Sequence, residues 1–203
     1  MTSGNPVVYP LTLRGDQQPI NRFLFLIKWL LLIPHFVVLF FLAIGAAVSL
    51  IISWFAILFT AKYPRGLFDY NVGVLRWLWR VEFYGYAALG TDKYPPFSLA
   101  TDPAYPADLA VEYPETLNRW LVLVKWILAI PHWIILLIFN GGYGKYFGGL
   151  IGLLTLIAAI INLFTGKYPQ SLFKLIMGMN RWSFRVSAYT SLMTDKYPPF
   201  SFD

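Results

Sequence analysis

The chain repeats itself, and this restricts the folds open to it more than any other feature. Asn21, Arg22, Lys28, Trp29, Ile33, Pro34 and His35 recur 97 residues later as Asn118, Arg119, Lys125, Trp126, Ile130, Pro131 and His132. Phe59, Thr60, Lys62, Tyr63, Pro64, Leu67, Phe68, Gly73, Arg76, Trp77, Arg80, Val81 and Tyr84 recur at an offset of 105, as Phe164 through Tyr189. Both copies close on the octapeptide TDKYPPFS, at 91–98 and 194–201. The chain is therefore a tandem duplication. The first repeat is 1–98, a polar linker with Pro103, Pro106, Asp102, Asp108, Glu112 and Glu115 fills 99–118, and the second repeat is 119–203.

Each copy carries a long apolar stretch, 22–61 and 119–165, of 40 and 47 residues. A membrane-spanning helix needs about 20 apolar residues, so each stretch is long enough for a hairpin of two spans. The change of offset from 97 to 105 puts eight extra residues in the second copy, around Asn140 to Gly149. Insertions survive in turns, which predicts a hairpin tip there and a matching tip near Leu42 to Val48, at Gly45. The expected fold is all-α and integral to the membrane: two tandem helical hairpins, four transmembrane helices, related by a twofold axis along the membrane normal. Only 13% of residues are charged, against about 25% in soluble domains, and 58% are hydrophobic. Arg22, Lys28, Lys62, Arg65, Arg119, Lys125 and Lys167 flank the open ends of the hairpins, against Lys145 alone at a tip. The positive-inside rule then predicts a multi-pass protein of the inner, cytoplasmic membrane with both termini cytoplasmic. No basic n-region precedes a short apolar core, so no cleavable signal peptide is expected. Alternatively, Pro34 and Pro131 end short interfacial helices and leave one long span per copy.

Two amphipathic helices are predicted, at 66–84 and 171–189. Asp69, Gly73, Arg76 and Arg80 share one stripe of the first, and Lys174, Gly178, Arg181 and Arg185 one stripe of the second. Such helices suit the membrane interface or a groove on the hairpins. Their arginines, Arg76, Arg80, Arg181 and Arg185, are candidates for anionic-lipid binding, or else form a solvated face. Tyr-Pro units at 63, 94, 113, 168 and 197 end helices, because proline forces the preceding residue out of helical geometry. Tyr63, Tyr94, Tyr168 and Tyr197, with Trp29 and Trp126, are expected interface anchors. Val7 to Leu13 and Asp108 to Val111 are candidate short strands.

His35 and His132 carry the one sharp chemical hypothesis. Each follows a proline about thirteen residues into an apolar stretch, where two imidazoles suit a haem or pigment, or serve to satisfy polar groups freed by a proline kink. Lys28 and Lys125 are expected to snorkel to the surface. The chain has no cysteine, two histidines and ten acidic residues, and no nucleotide-binding glycine motif, metal-ligand spacing or Ser/His/Asp set. No catalytic residue, metal or resident cofactor is expected.

The pattern Tyr-Pro…Asn-Arg-Trp…Lys-Trp…Ile-Pro-His, then Phe-Thr-Gly-Lys-Tyr-Pro…Leu-Phe…Gly…Arg-Trp…Arg-Val…Ala-Tyr…Thr-Asp-Lys-Tyr-Pro-Pro-Phe, seen best at 113–200, resembles a bacterial family of tandem-repeat integral membrane proteins catalogued as a domain of unknown function. The first copy departs from it with Gly15-Asp-Gln-Gln-Pro19 and with Ala61 where the second has Gly166. The resemblance implies no activity. With 8 Trp, 13 Tyr and 17 Phe, the chain is expected to pack as a non-enzymatic accessory or scaffold subunit against other membrane proteins or itself, among lipids and without nucleic acid. A binder or carrier of a lipid, quinone, haem or pigment between the hairpins is the alternative, and a small transporter a third.

Overall fold

The computed structural model describes residues 9–141 and 149–203. It is mostly helical, with β1 (Leu11–Gly15), α1 (Lys28–Leu31), α2 (Ile33–Thr60), α3 (Arg65–Tyr84), β2 (Ala107–Val111), α4 (Leu121–Leu128), α5 (Ile130–Asn140), α6 (Gly149–Thr165) and α7 (Gln170–Thr190). Pro34 and Pro131 sit in the first turns of α2 and α5. There the missing N–H costs nothing and the fixed φ favours the helix, so these prolines start the long helices. Residue Ala61, at φ 60°, closes α2 in left-handed geometry, and the following Lys-Tyr-Pro leads straight into α3.

The first expected hairpin is absent. Helix α2 runs without a break through Leu42–Val48. Gly45 does not reverse the chain; it makes room for the Tyr70 hydroxyl, which donates to Leu42 O at 2.9 Å. In the second copy, residues 142–148, with Lys145, lie outside the described residues. A Cβ on Gly149 would stand 2.4 Å from Phe139 O and 2.3 Å from Gly141 N, so α6 begins where α5 stops. The contacts that α2 makes at its two ends are divided between α5 and α6. His132 meets Trp182 from α5 as His35 meets Trp77 from α2. Thr165 ends α6 by donating to Ile161 O as Thr60 ends α2 by donating to Ala56 O. Helices α5 and α6 together thus stand where α2 stands. Among the described residues, α2 is the one helix long and apolar enough to cross a membrane; α4 and α5 qualify only as a pair bent by 46°, and α6 is shorter. Two apolar rods replace the four expected spans.

The two strands form an antiparallel pair with Leu13 opposite Leu109. Their sequences, Tyr9-Pro-Leu-Thr-Leu13 and Tyr105-Pro-Ala-Asp-Leu109, are themselves a repeat, and Leu13 and Leu109 are equivalent members of it. The twofold axis relating the copies therefore passes through this residue pair, perpendicular to the sheet. The strands are exchanged across it. Tyr9 donates to Arg185 O of the second copy's α7 at 3.1 Å, while Tyr105 lies within 3.4 Å of Arg80 O on the first copy's α3. The strands extend two residues beyond the expected Leu13 and begin one before the expected Asp108; Val7 and Val8 lie outside the described residues.

Helix α3 packs on both sides. Gly73, Arg76 and Arg80 turn to β2 and Leu99, whereas Tyr70, Val74, Trp77 and Val81, on another arc of the helix, turn to α2. Its third face meets α7 through Trp79 and Phe184, ring centres 5.5 Å apart. The layers are sheet, then α3 and α7, then the apolar rods. The amphipathic helices are consequently interior elements, shielded from any interface along most of their length. Buried Phe68, Trp79, Phe83, Ile176, Met179 and Phe184 make the core between them.

Candidate functional site

In each repeat the Lys-Trp…Ile-Pro-His segment and the TDKYPPF tail close on one another, far apart in sequence. Lys28, 1% exposed, lies 2.9 Å from Asp92, donates to Thr91 O at 2.6 Å and sits 4.4 Å from the centre of the Tyr84 ring. Lys125 repeats this with Asp195 at 2.8 Å, Thr194 O at 2.8 Å and the Tyr189 ring. The same aspartates accept the backbone N–H of Asn21 and Asn118, which fixes the entry to each apolar segment. The lysines do not snorkel: the tail brings a carboxylate to each, and a paired ammonium is stable inside where an unpaired one is not.

Seven residues on, Trp77 Nε1 donates to His35 Nδ1 at 2.9 Å, and Trp182 Nε1 to His132 Nδ1 at 2.9 Å. Since Nδ1 accepts, the ring proton is on Nε2. Phe97 stacks on His35 with centres 3.9 Å apart and planes 12° apart, and Phe200 stacks on His132 at 4.1 Å and 16°. Nε2 of each makes no hydrogen bond of ordinary geometry and faces the backbone of Pro95 or Pro198. Both histidines are fully buried, each in its own copy. The structure does not bring them together, and in each copy a phenylalanine and a proline of the tail lie against the imidazole.

Arg76 and Arg80 are not a lipid-facing stripe. They converge on Asp108 of β2, at 3.2 and 3.1 Å, and donate to Leu99 O, Leu109 O and Ser98 O. Gly73 makes this possible, because a Cβ there would come within 2.8 Å of Leu99 Cβ. In the second copy Arg181 donates to Phe202 O at 2.9 Å and Arg185 is buried beside the Tyr9 ring. Thr12 stands at the position equivalent to Asp108, so this arginine pair lacks the strand carboxylate.

The expected anchors separate into two kinds. Trp29 and Trp126 are each 56% exposed, and Tyr94 and Tyr197 present their rings while donating to Leu31 O and Leu128 O. Tyr63 is buried and accepts from Asn71 Nδ2 at 2.9 Å, and Tyr168 donates inward to Ala88 O. Sequence reasoning missed the aspartates, Trp77 and Trp182 as partners. The signal for them was present, since all recur in both copies.

A charge-poor unit of one apolar rod, one amphipathic helix and a latching tail, built twice with exchanged strands, defines a mostly helical tandem-repeat protein. The chain belongs to the family described as a domain of unknown function (DUF4389), which it matches twice, at 22–98 and 119–201. Comparison with curated proteins and with solved structures finds no match.

Proposed function

We propose that the protein is a non-enzymatic, membrane-embedded scaffold that packs as an accessory subunit against a larger membrane assembly. The observation that carries this reading is the outer face of the apolar rods. Phe36, Phe40, Phe41, Ile44, Ile51 and Phe55 of α2 are each 50–65% exposed, and Trp133, Ile134, Leu137, Ile138, Ile157 and Ile160 continue the surface on α5 and α6. A contiguous apolar surface of this extent marks a lipid or protein contact. The polar groups of each latch support a structural role, because each lysine is paired with an aspartate of the tail and each histidine accepts from a tryptophan.

The alternative of a hydrophobic ligand held by the histidines would need Phe97 and Phe200 to move from their stacked positions. The test is purification of the full chain from native membranes in mild detergent, with mass spectrometry of what remains bound at stoichiometric ratio. A defined set of other membrane proteins supports the subunit reading. An isolated chain carrying a pigment or quinone overturns it in favour of the binder, and recovery in the fraction washed off by alkaline carbonate overturns membrane embedding.

A further inference from the structure

We propose that the protein sits in one leaflet of the bilayer, with α2 and the α5–α6 pair lying along the membrane plane rather than across it. The inference rests on the membrane reading above and concerns the orientation that reading leaves open.

The first argument is the back of the helix layer. Ala46, Ala47 and Leu50, at the middle of α2, lie beside Val74 and Leu75 of α3. On another arc of α3 at that level, Arg76 and Arg80 meet Asp108, and beyond them the sheet exposes Thr12, Arg14 and Ala110. If α2 crossed the bilayer, these ion pairs and a two-stranded sheet with open edges would stand at mid-depth. Open sheet edges and unsatisfied backbone groups are not tolerated in hydrocarbon. Laid flat, the same molecule puts its apolar rods in lipid and its sheet in water.

The second argument is symmetry. A twofold axis perpendicular to the sheet makes α2 and α5–α6 antiparallel and turns both apolar faces to the same side. Leu117 N donates to Ala61 O at 2.8 Å, so the end of α2 adjoins the start of the second copy, with Lys62, Arg65 and Arg119. Gly166 touches the Arg22 guanidinium, so the end of α6 adjoins the start of the first, with Lys167. In a crossing orientation these exposed cations divide between the two sides of the membrane, against the usual one-sided bias. In the flat orientation all of them edge one apolar face together with Trp29, Trp120 and Trp126, as at a headgroup boundary. Helix α2, at about 1.5 Å per residue, is also about 42 Å long, whereas the hydrocarbon core is about 30 Å thick.

The chain has no cysteine, so single cysteines report one position at a time. Lys62→Cys and Lys167→Cys mark opposite ends of the rods and Thr12→Cys marks the sheet; all three positions are exposed. Sealed vesicles of both orientations carrying each full-length variant are treated with a membrane-impermeant maleimide. All three are expected to react in the same vesicle orientation. Reaction of Lys62→Cys and Lys167→Cys in opposite orientations overturns the proposal. Phe41→Cys, on the apolar face, separates this failure from that of the membrane reading: it should react only after detergent is added. If it reacts in intact vesicles as fast as Thr12→Cys, the face is not in lipid and both readings fall.

Discussion

The indole N–H of Trp77 donates to Nδ1 of His35 at 2.9 Å, and Trp182 makes the same bond to His132 at the same distance. Trp77→Phe keeps an aromatic ring but leaves Nδ1 without its donor in a buried setting. A loss of about 1–3 kcal/mol is expected, since an orphaned buried acceptor costs its desolvation. Trp182→Phe should lose a similar amount. Thermal melting in detergent measures both, and a wild-type melting temperature in either variant refutes the assignment.

Asp92→Asn tests the first latch. It leaves the Lys28 ammonium, 1% exposed, without its counter-charge, and breaking a buried pair from one side costs about 3–5 kcal/mol. Lys28→Met combined with Asp92→Asn should recover most of the loss, because no uncompensated charge then remains inside. A double-mutant cycle on denaturant unfolding reads the coupling, and additive losses would show that the two side chains act independently.

Gly178→Ala is expected to destabilise by about 1–3 kcal/mol through overpacking. The new Cβ would stand 2.6 Å from Phe202 Cβ and 3.0 Å from Phe202 O, where the tail crosses α7. Gly66→Ala is the control, as nothing lies within 4 Å of its Cβ position. The comparison is made by melting temperature, with the control at or above wild type.

Stability should fall as pH rises toward neutrality. Burial pushes the Glu82 carboxyl on α3 up to about 7 from its usual 4.5. Between those values the folded state keeps a proton that the unfolded state releases, so the folded state is favoured most below 4.5 and loses that advantage as pH rises through about 7. Melting temperatures at pH 5 and pH 8 measure the fall, and Glu82→Gln should remove most of it. An unchanged slope in the variant assigns the pH dependence to other groups.

The repeat made much of this legible from the chain alone. The amphipathic helices appear within a residue of 66–84 and 171–189, and the stripe of Gly73, Arg76 and Arg80 does share one face. Both strands were readable as short extended pieces. The hairpins were not, because an eight-residue insertion has the same sequence signature whether or not the apolar segments flanking it fold back on one another. Gly45 was misread for a related reason: a glycine inside a helix can mark a turn or a close neighbour, and here the neighbour is Tyr70.

The sequence by itself determined that the chain is a duplicated, charge-poor, mostly helical protein, since periodicity, proline placement and self-similarity are local properties written along the chain. The tertiary structure alone decided where the charges go. Lys28 meets Thr91 across 63 residues and Lys125 meets Thr194 across 69, while Tyr9 reaches Arg185 across 176. Helical and strand periods specify which face a residue occupies, not what will cover it. The exchange of strands about Leu13 and Leu109 supplied that cover, turning the amphipathic helices inward and leaving the apolar rods outside.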